Sequence, residues 1–493
     1  MGKKKNKNKL SGAVKTAQKT EKKLQQKLKK ELANLGEEDI AKVLAEIERE
    51  ETKRSTAVEK TLPGPPSARA YATLIPHPTN NELIMFGGEY HDGQKTKVYN
   101  DLYLYNPVTN VWRQVKAPGA PPPRSGHQAV ATPANKGELW IFGGEFTSPS
   151  ETQFHHFKDL WCFSLTDKKW EKVSAPGGPS SRSGHRMVQV GRNLLTFGGY
   201  TDDGRDCRYH DDLYCFCLDT RTWSKVETLG RGPAPRSACL CMPVNNDSLL
   251  VYGGFSRIKD GRTERGATHG DMFRLINKSG KWTWKPVSSA ASPLPRASLA
   301  AGVNVLTNKA YVFGGVADIE ETDEDVHGEM SDCLQMLDLE ATRWHQVTLK
   351  CNNAEVEKKC DDVVAQDMED KEVTVVTDEV FTMRLGGAPS SADSEQSGTA
   401  MAAKCNKQNG PSARMSAMMC VQRSVLYLYG GVLEKDDKQF YLADMYSLDL
   451  HKLNEWKTII EQPKLPEWLG SSESEYDTES GSDSGSDDSM SES

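Results

Sequence analysis

One complete copy of the repeat that decides the fold spans residues 124–170 and reads RSGHQAVATPANKGELWIFGGEFTSPSETQFHHFKDLWCFSLTDKKW. It opens with an arginine, continues through a strand-like stretch into an apolar run that ends in two glycines, and closes with a tryptophan. The same order recurs six times, with a period of about 55 residues for most copies. Such a period indicates a repeat architecture in which each copy is one supersecondary unit.

Three positions recur in every copy. The opening arginines are Arg69, Arg124, Arg182, Arg236, Arg296 and Arg414. The glycine pairs are Gly87-Gly88, Gly143-Gly144, Gly198-Gly199, Gly253-Gly254, Gly314-Gly315 and Gly430-Gly431. The closing tryptophans are Trp112, Trp170, Trp223, Trp282, Trp344 and Trp456. A glycine pair suits a chain that leaves a crowded inner strand, and an indole supplies the area that joins one unit to the next.

Four strands fit each copy. Apolar runs such as LIMFGG and LLVYGG predict strands that are buried on both faces. A polar loop of 12 to 16 residues follows each glycine pair, and a third strand then begins at an aspartate such as Asp101 or Asp159. A turn leads to the fourth strand, which carries the tryptophan. Four strands in about 55 residues make one propeller blade.

The repeat resembles the kelch motif, which is marked by a double glycine, a following aromatic residue and a later tryptophan. Six copies between Pro66 and about Ile460 imply an all-β, six-bladed kelch β-propeller. The expected organisation of the 493 residues is a charged amphipathic helical extension (1–60), blades one to five (61–348), an acidic and mostly disordered insertion (349–410), blade six (411–466) and a disordered, acidic, Ser-rich tail (467–493). Within the insertion, residues 373–387 predict a hairpin, and a degenerate seventh blade there is left open.

The two ends of the chain carry opposite charge. Residues 1–30 contain twelve lysines and one acid, whereas the stretch from Glu467 onward has nine acids and no base. Leucines at helical spacing up to Leu35, followed by the stripe Ile40, Val43, Leu44 and Ile47, predict two short helices that either pack on the propeller or meet a partner. The lysine cluster predicts a solvated or targeting segment, with RNA contact as the weaker alternative, and Ser472, Ser482 and Ser486 resemble acidophilic kinase sites.

The arginine that opens each copy is the candidate binding residue. In other kelch propellers that bind acidic peptides, arginines at matching positions line the mouth of the central channel, so the resemblance implies a ring that binds acidic or phosphorylated peptides. The chain's own acidic tail is then a candidate occupant. The alternative is a structural role, in which each arginine pairs with an acid such as Glu89 or Glu145. The loops after the glycine pairs are a second candidate surface; they span residues 89–100, 145–158, 200–211, 255–270, 316–331 and 432–443.

The sequence favours a non-catalytic protein-interaction scaffold. It contains no nucleophile motif, phosphate-binding loop or dinucleotide fingerprint, and it predicts neither a cofactor nor a metal site. His127 and His185 stand at one repeat position, which favours a structural role. No apolar run approaches the length of a membrane span. Eleven scattered cysteines without CxxC pairs indicate reduced thiols, so an intracellular protein of the cytoplasm, the nucleus or both is expected. Two alternatives remain: a substrate receptor of a ubiquitin ligase, and a ribonucleoprotein or ribosome-biogenesis assembly factor.

Overall fold

Six four-stranded antiparallel blades, two of which carry an added edge strand, form a ring in the computed structural model. The structure describes residues 39–202, 206–260, 263–289, 292–320, 326–349, 377–378, 381–382, 410–435 and 438–470. The six-bladed β-propeller is therefore confirmed. The first predicted helix, the acidic tail from residue 471 and most of the insertion lie outside the described residues.

The N-terminal helix and the first two blades occupy residues 40–173. Helix α1 spans Ile40–Lys53. The strands of blade one and its ribbon are β1 (Val58–Thr61), β2 (Thr73–Pro76), β3 (Leu83–Phe86), β4 (Glu89–His91), β5 (Thr96–Val98), β6 (Leu102–Asn106) and β7 (Val111–Lys116). Those of blade two, together with a short 3-10 helix at Ala134–Lys136, are β8 (Gln128–Thr132), β9 (Glu138–Phe142), β10 (Glu145–Thr147), β11 (Phe154–His156), β12 (Leu160–Ser164) and β13 (Lys169–Val173).

Blades three and four follow the same plan. Blade three consists of β14 (Arg186–Val190), β15 (Asn193–Phe197), β16 (Tyr200–Asp202), β17 (Cys207–Tyr209), β18 (Leu213–Cys217) and β19 (Thr222–Lys225). Blade four consists of β20 (Thr228–Leu229), β21 (Leu240–Asn245), β22 (Ser248–Tyr252), β23 (Phe255–Asp260), β24 (Thr263–Thr268), β25 (Met272–Lys278) and β26 (Lys281–Val287). The short strand β20 pairs in parallel with β26.

Blades five and six flank the insertion. Blade five consists of β27 (Ala300–Asn304), β28 (Lys309–Phe313), β29 (Val316–Glu320), β30 (Val326–Met330), β31 (Leu334–Asp338) and β32 (Arg343–Gln346). The described part of the insertion is a two-stranded ribbon, β33 (Thr377–Asp378) and β34 (Phe381–Thr382), where a hairpin is predicted. Blade six consists of β35 (Met418–Gln422), β36 (Val425–Tyr429), β37 (Val432–Lys435), β38 (Lys438–Tyr441), β39 (Met445–Asp449) and β40 (Lys457–Ile460).

The first strand of each blade lies nearest the central channel, because the first strands of neighbouring blades contact one another around the ring. The strand that leads into the glycine pair is therefore second from the axis. The sequence analysis expects the inner strand of the blade there, and this expectation is wrong by one strand. It is buried on both faces as predicted; all four residues of β3 are buried. Gly88 has φ +93°, and a Cβ added to it would lie 2.7 Å from the Cβ of Ala72. Both the conformation and the close approach require glycine.

Tryptophans join the blades, as predicted. The Trp170 ring lies 5.4 Å from Phe86, the residue directly before the glycine pair of the preceding blade. The equivalent pairs are Trp223 with Phe142, Trp284 with Phe197, Trp344 with Tyr252, Trp456 with Phe313 and Trp112 with Tyr429. In blade four the contact is thus made by Trp284, although Trp282 is also buried in that cluster.

The ring closes by packing blade six against blade one. All four strands of blade six come from residues 418–460, and Trp112 of blade one packs on Tyr429 of blade six. Backbone hydrogen bonds at the closure repeat those between the other blades: the N–H of Arg69 donates to the carbonyl of Leu442 at 3.2 Å, as that of Arg124 donates to Tyr99 at 3.0 Å. The described blades share no strand across the closure.

Candidate functional site

The two ends of the propeller differ in secondary structure. Between the second and third strands of every blade, the chain forms a two-stranded ribbon at one end of the ring, which we call the ribbon face. These ribbons occupy the segments that the sequence predicts as polar loops, so the loop expectation is wrong in secondary structure. The turns between the first and second strands and between the third and fourth strands lie at the opposite end, the turn face.

The ribbons contact one another around the channel. The N–H of Thr96 in blade one donates to the carbonyl of Pro149 in blade two at 2.9 Å. The hydroxyl of Thr268 in blade four donates to the carboxylate of Asp318 in blade five at 2.7 Å. Because the ribbons differ in sequence and length, they form an uneven collar on a regular framework.

The repeated arginines lie inside the blades. Arg124 is fully buried; its Nη1 donates to the carbonyl of Gly143 at 3.0 Å and to Oδ1 of Asp159 at 2.8 Å. Its guanidinium carbon stands 4.1 Å from the centroid of the Phe157 ring. Burial raises the pKa of Asp159, but the Arg124 guanidinium outweighs that effect and holds this pKa below its ordinary value. The arginine thereby fastens the end of the second strand to the start of the third.

The same arginine–aspartate latch recurs with different partners. The latches with contacts of 2.5 to 2.6 Å are Arg182 with Asp212, Arg236 with Asp271 and Arg414 with Asp444. Arg69 stands 3.8 Å from Asp101. Arg296 departs from the pattern: its side chain is 13% exposed and pairs with Glu329 of its own ribbon at 3.8 Å. The partners are thus aspartates and Glu329, not Glu89 or Glu145.

The predicted structural histidines lie between blades. Nε2 of His127 is 3.1 Å from the hydroxyl of Thr73, and its ring packs edge-on to Phe86. Burial lowers the pKa of His127 to about 3. His185 packs in the same way on Phe142 of blade two.

Glu89 and Glu145 lie near each other at the ribbon ends of blades one and two. Each residue after a glycine pair bridges to the residue after the opening arginine; Glu89 pairs with Ala70, and Glu145 with Ser125. We call the set Tyr71, Glu89, Glu145, Tyr200 and Tyr441 the channel mouth. It spans blades six, one, two and three.

Tyrosine hydroxyls hold both carboxylates of the channel mouth. The hydroxyl of Tyr200 donates to Oε1 of Glu145 at 3.0 Å, and that of Tyr441 donates to Oε1 of Glu89 at 3.3 Å. Burial raises the pKa of Glu145 to about 7, and the negative charge of Glu89 adds to this shift. Burial likewise raises the pKa of Glu89, and it raises the pKa of Tyr71 to about 12. Sequence reasoning missed this cluster, although Glu89 and Glu145 follow their glycine pairs at one repeat position.

The same repeat position is apolar in three other blades. The residues that occupy the position of Glu89 in blades four, five and six are Phe255, Val316 and Val432. The acids at this position are thus confined to blades one and two.

Both described ends of the chain arrive at the ribbon face. The N–H of Ile40, at the start of α1, donates to the side chain of Gln153 beside strand β11 at 3.2 Å. Farther along, α1 lies on blade two, where Glu48 pairs with Lys172 at 2.9 Å and Leu44 is buried. Of the two predicted roles of this helix, packing on the propeller is the one observed.

The C-terminal segment is anchored on the ribbons of blades one and six. The Trp468 ring lies between those of His91 and Phe440, 5.9 Å from each. The N–H of Leu469 donates to the carbonyl of Asp92 at 3.1 Å. The described chain therefore ends at the ribbon face.

A blade framework latched by arginines, with variable ribbons on one face, defines a kelch-type β-propeller. The family model described as "KLHDC2/KLHL20/DRC7 Kelch-repeats domain" matches residues 70–315 and 184–370, and the chain belongs to this family. Within the described residues, no helix is long and apolar enough to cross a membrane.

Relatives share the repeats over part of their length. The chain is 30% identical to host cell factor of Drosophila melanogaster over 294 residues, which cover 54% of this chain and 18% of the relative. It is 28% identical to host cell factor 1 of Homo sapiens, with 54% and 13% covered, and 29% identical to acyl-CoA-binding domain-containing protein 4 of Arabidopsis thaliana, with 44% and 29% covered. The matched region is thus less than a third of each of these relatives.

A solved structure supports the fold. The chain resembles YjhT with a TM-score of 0.50 at 14% identity, covering 80% of this chain and 99% of that one. At this identity the likeness concerns architecture alone.

Proposed function

We propose that this protein is a non-catalytic scaffold that docks protein partners on its ribbon face. The kelch propeller is a fold typical of protein-interaction scaffolds. The observation that carries the proposal is that each blade combines a repeated framework with a variable ribbon. Latches, glycine pairs and tryptophans recur around the ring, whereas the ribbons differ from blade to blade. Variable segments held by a rigid framework are where binding is usually built.

The repeated arginines are part of the framework of the blades. Five of them are at most 1% exposed, and their guanidinium groups contact carbonyl and carboxylate oxygens. We infer that they stabilise the blades. Binding of acidic or phosphorylated peptides by the ring stays a prediction, and Arg296 is the arginine best placed for it.

Substitution of one face at a time tests the proposal. Phe154 and Ile258 are exposed apolar residues on the ribbons, at 47% and 42%; Val108 and Leu306 are exposed on the turn face, at 78% and 79%. We expect Phe154→Ser with Ile258→Ser to reduce the partners recovered from cells by affinity purification. Val108→Ser with Leu306→Ser, the matched control, leaves recovery unchanged. Equal recovery by both variants, each with wild-type melting, would contradict docking on the ribbon face.

The same purification separates the alternative functions. Cullin-dependent recovery would support a ubiquitin-ligase substrate receptor, and salt-sensitive recovery of RNA or pre-ribosomes would support an assembly factor. We propose an intracellular location in cytoplasm or nucleus, which imaging of the full chain tests.

A closer resemblance is proposed within the family. The basic start, the strings GQKTKVYNDLY (93–103) and GGPSSRSGHRM (177–187), the acidic insertion before the last blade and the acidic serine tail together resemble kelch domain-containing protein four. This resemblance implies architecture and leaves the partner open.

A further inference from the structure

The ribbons of blades one and six form an aromatic cleft on the ribbon face. The His91 ring of strand β4 and the Phe440 ring of strand β38 stand on either side of the Trp468 ring, each with its centre 5.9 Å from that of the indole. An aromatic anchor in a pocket is the usual centre of a binding site. We call the set of residues that receives this indole and the chain after it the tryptophan cleft: His91, Asp92, Gly93, Gln94 and Phe440.

The walls of the tryptophan cleft are held by contacts that do not involve Trp468. Nδ1 of His91 is 2.8 Å from the hydroxyl oxygen of Thr96, and this contact orients the imidazole ring. The rings of Tyr90 and Tyr441, 5.7 Å apart, join the two ribbons next to the cleft. A site whose walls are fixed in advance binds a ligand without the cost of ordering them.

The turn at the end of the tryptophan cleft is also formed by its own hydrogen bonds. Oδ1 of Asp92 accepts from the N–H of Gln94 at 2.9 Å and from the N–H of Lys95 at 2.8 Å. The carbonyl of Asp92 and the side-chain amide of Gln94 take no part in these bonds, and both bind Leu469. The N–H of Leu469 donates to the carbonyl of Asp92 at 3.1 Å, and its carbonyl accepts from Nε2 of Gln94 at 2.6 Å. The turn thus binds the backbone of a peptide, whatever side chain that residue carries.

The tryptophan cleft accepts a residue without a side chain two positions after the tryptophan. A Cβ added to Gly470 would lie 2.6 Å from the carbonyl oxygen of Gly93. A Cβ added to Gly93 would lie 2.5 Å from the backbone nitrogen of Gly470 and 2.8 Å from Cε2 of Trp468. Backbone meets backbone at this point, and a side chain at either position forces a shift. The cleft therefore fits the pattern Trp-x-Gly.

The segment that fills the tryptophan cleft is exposed along most of its length. Two hydrogen bonds and two ring contacts join residues 466–470 to the ribbons. Pro466 and Glu467 are exposed, and Leu469 is 48% exposed. Segments with few buried contacts open at a small cost in free energy. A second segment with the same pattern can therefore take its place.

We propose that the tryptophan cleft is a docking site for partner segments of the form Trp-x-Gly, and that residues 466–470 occupy it when no partner is bound. The indole of the partner fills the space between His91 and Phe440, its next residue binds the turn, and its glycine passes Gly93. Where the chain's own segment fills about nine-tenths of the clefts, the apparent affinity for a partner falls about tenfold. In naming the chemistry of a docked partner, the inference rests on the proposed function.

Fluorescence anisotropy of a labelled peptide, KLPEWLGS (464–471), tests the proposal on the full chain. We expect the Trp468→Ala chain, whose own segment no longer fills the cleft, to bind this peptide at least tenfold more tightly than wild type does. The change Gly470→Ala in the peptide should weaken binding to that variant at least tenfold, and Trp468→Ala in the peptide should abolish it. Equal affinity of the two chains for the unaltered peptide, or equal affinity of the variant for all three peptides, would overturn the proposal.

Variants of the cleft are made in the Trp468→Ala chain. Phe440→Ala removes one wall and should weaken peptide binding about fivefold or more. Phe154→Ala, the matched control, removes an exposed aromatic side chain from the ribbon of blade two and leaves binding unchanged. Gln94→Ala changes an exposed side chain and should also weaken binding, without opening a gap between the ribbons. Equal effects of Phe440→Ala and Phe154→Ala, in chains that melt like the parent, would overturn the proposal.

Two further measurements assign the remaining outcomes. A wild-type chain that sediments as a dimer, with a monomeric Trp468→Ala chain, would mean that the segment fills the cleft of a second copy, which would overturn occupancy within one chain. If the peptide does not bind the Trp468→Ala chain while Phe154→Ser with Ile258→Ser still reduces the partners recovered, the proposed function stands and only this inference falls.

Discussion

The latch of blade six offers the sharpest test of how the framework is held. Arg414 and Asp444 are 0% and 2% exposed, and two hydrogen bonds of 2.6 and 2.8 Å join them. Arg414 also donates to the carbonyl of Gly430 at 3.0 Å. Arg414→Ala removes these bonds and leaves the Asp444 carboxylate buried without its counterion, which costs about 3–5 kcal/mol of unfolding free energy.

Blade five provides the matched control. Arg296 occupies the same repeat position, but its one hydrogen bond among the described residues goes to the carbonyl of Glu329 at 2.8 Å. Asp332, which would be its latch partner, is exposed. Arg296→Ala should therefore cost about 1 kcal/mol or less, because a partly exposed, single hydrogen bond contributes little.

Thermal and urea unfolding of the full chain measure the difference. Unfolding entropy is about 2 cal/mol/K per residue, so for roughly 340 propeller residues each kcal/mol lowers Tm by about 1.4 °C. We expect Arg414→Ala to lower Tm by about 4–7 °C and Arg296→Ala by about 1 °C. Equal losses in the two variants, or a loss below 1 °C for Arg414→Ala, would refute the latch.

Three further predictions follow from single contacts. Gly88→Ala should cost about 2–4 kcal/mol in urea unfolding, because this residue has a positive φ and an added Cβ would lie 2.7 Å from the Cβ of Ala72. Gly280→Ala should cost about 1 kcal/mol, because Gly280 has φ +84° but no atom lies within 4 Å of an added Cβ; equal costs would show that the close approach is unimportant. Glu145 has Glu89, Tyr200, Ser183, Asp202 and His156 around it, and its pKa is raised to about 7. The folded state therefore binds the extra proton, and stability falls as pH rises from about 4.5 to 7. Glu145→Gln should stabilise the protein by about 1–3 kcal/mol at pH 8 and by much less at pH 4.5, and a gain independent of pH would contradict this. Trp468→Ala should raise hydrogen exchange of residues 465–470 at least tenfold without affecting strand β36; unchanged exchange would mean that the anchor lies elsewhere.

The blades are predictable from sequence because their determinants are local and repeated. Apolar runs, glycine pairs and tryptophans specify second strands, positive φ and blade contacts without reference to distant residues. The ribbons are not predictable in this way: strands such as β4 and β11 are short and polar, so no alternation distinguishes them from loops. Strand β1 has four exposed residues and depends on backbone pairing with β7, which leaves no apolar signal.

The arginine position shows the limit of repeat reasoning. Recurrence in all copies indicates a shared role, and the aspartate that opens each third strand recurs as regularly, so the pair could have been predicted from two opposite charges in register. The different pairing of Arg296 could not have been predicted, because its partner Glu329 lies in a ribbon whose strand pairing only the structure shows. The carboxylates of the channel mouth belong to two copies only, and their proximity depends on how blades one and two pack against each other.

Cross-linking of the full chain with the partners that co-purify from cells tests the central claim most directly. An amine-reactive cross-linker reports on exposed lysines of both faces: Lys95, Lys97 and Lys435 on the ribbons, and Lys136, Lys278 and Lys281 at the turns. Docking on the ribbon face predicts partner cross-links concentrated on the first three. Cross-links concentrated on the turn-face lysines would contradict it.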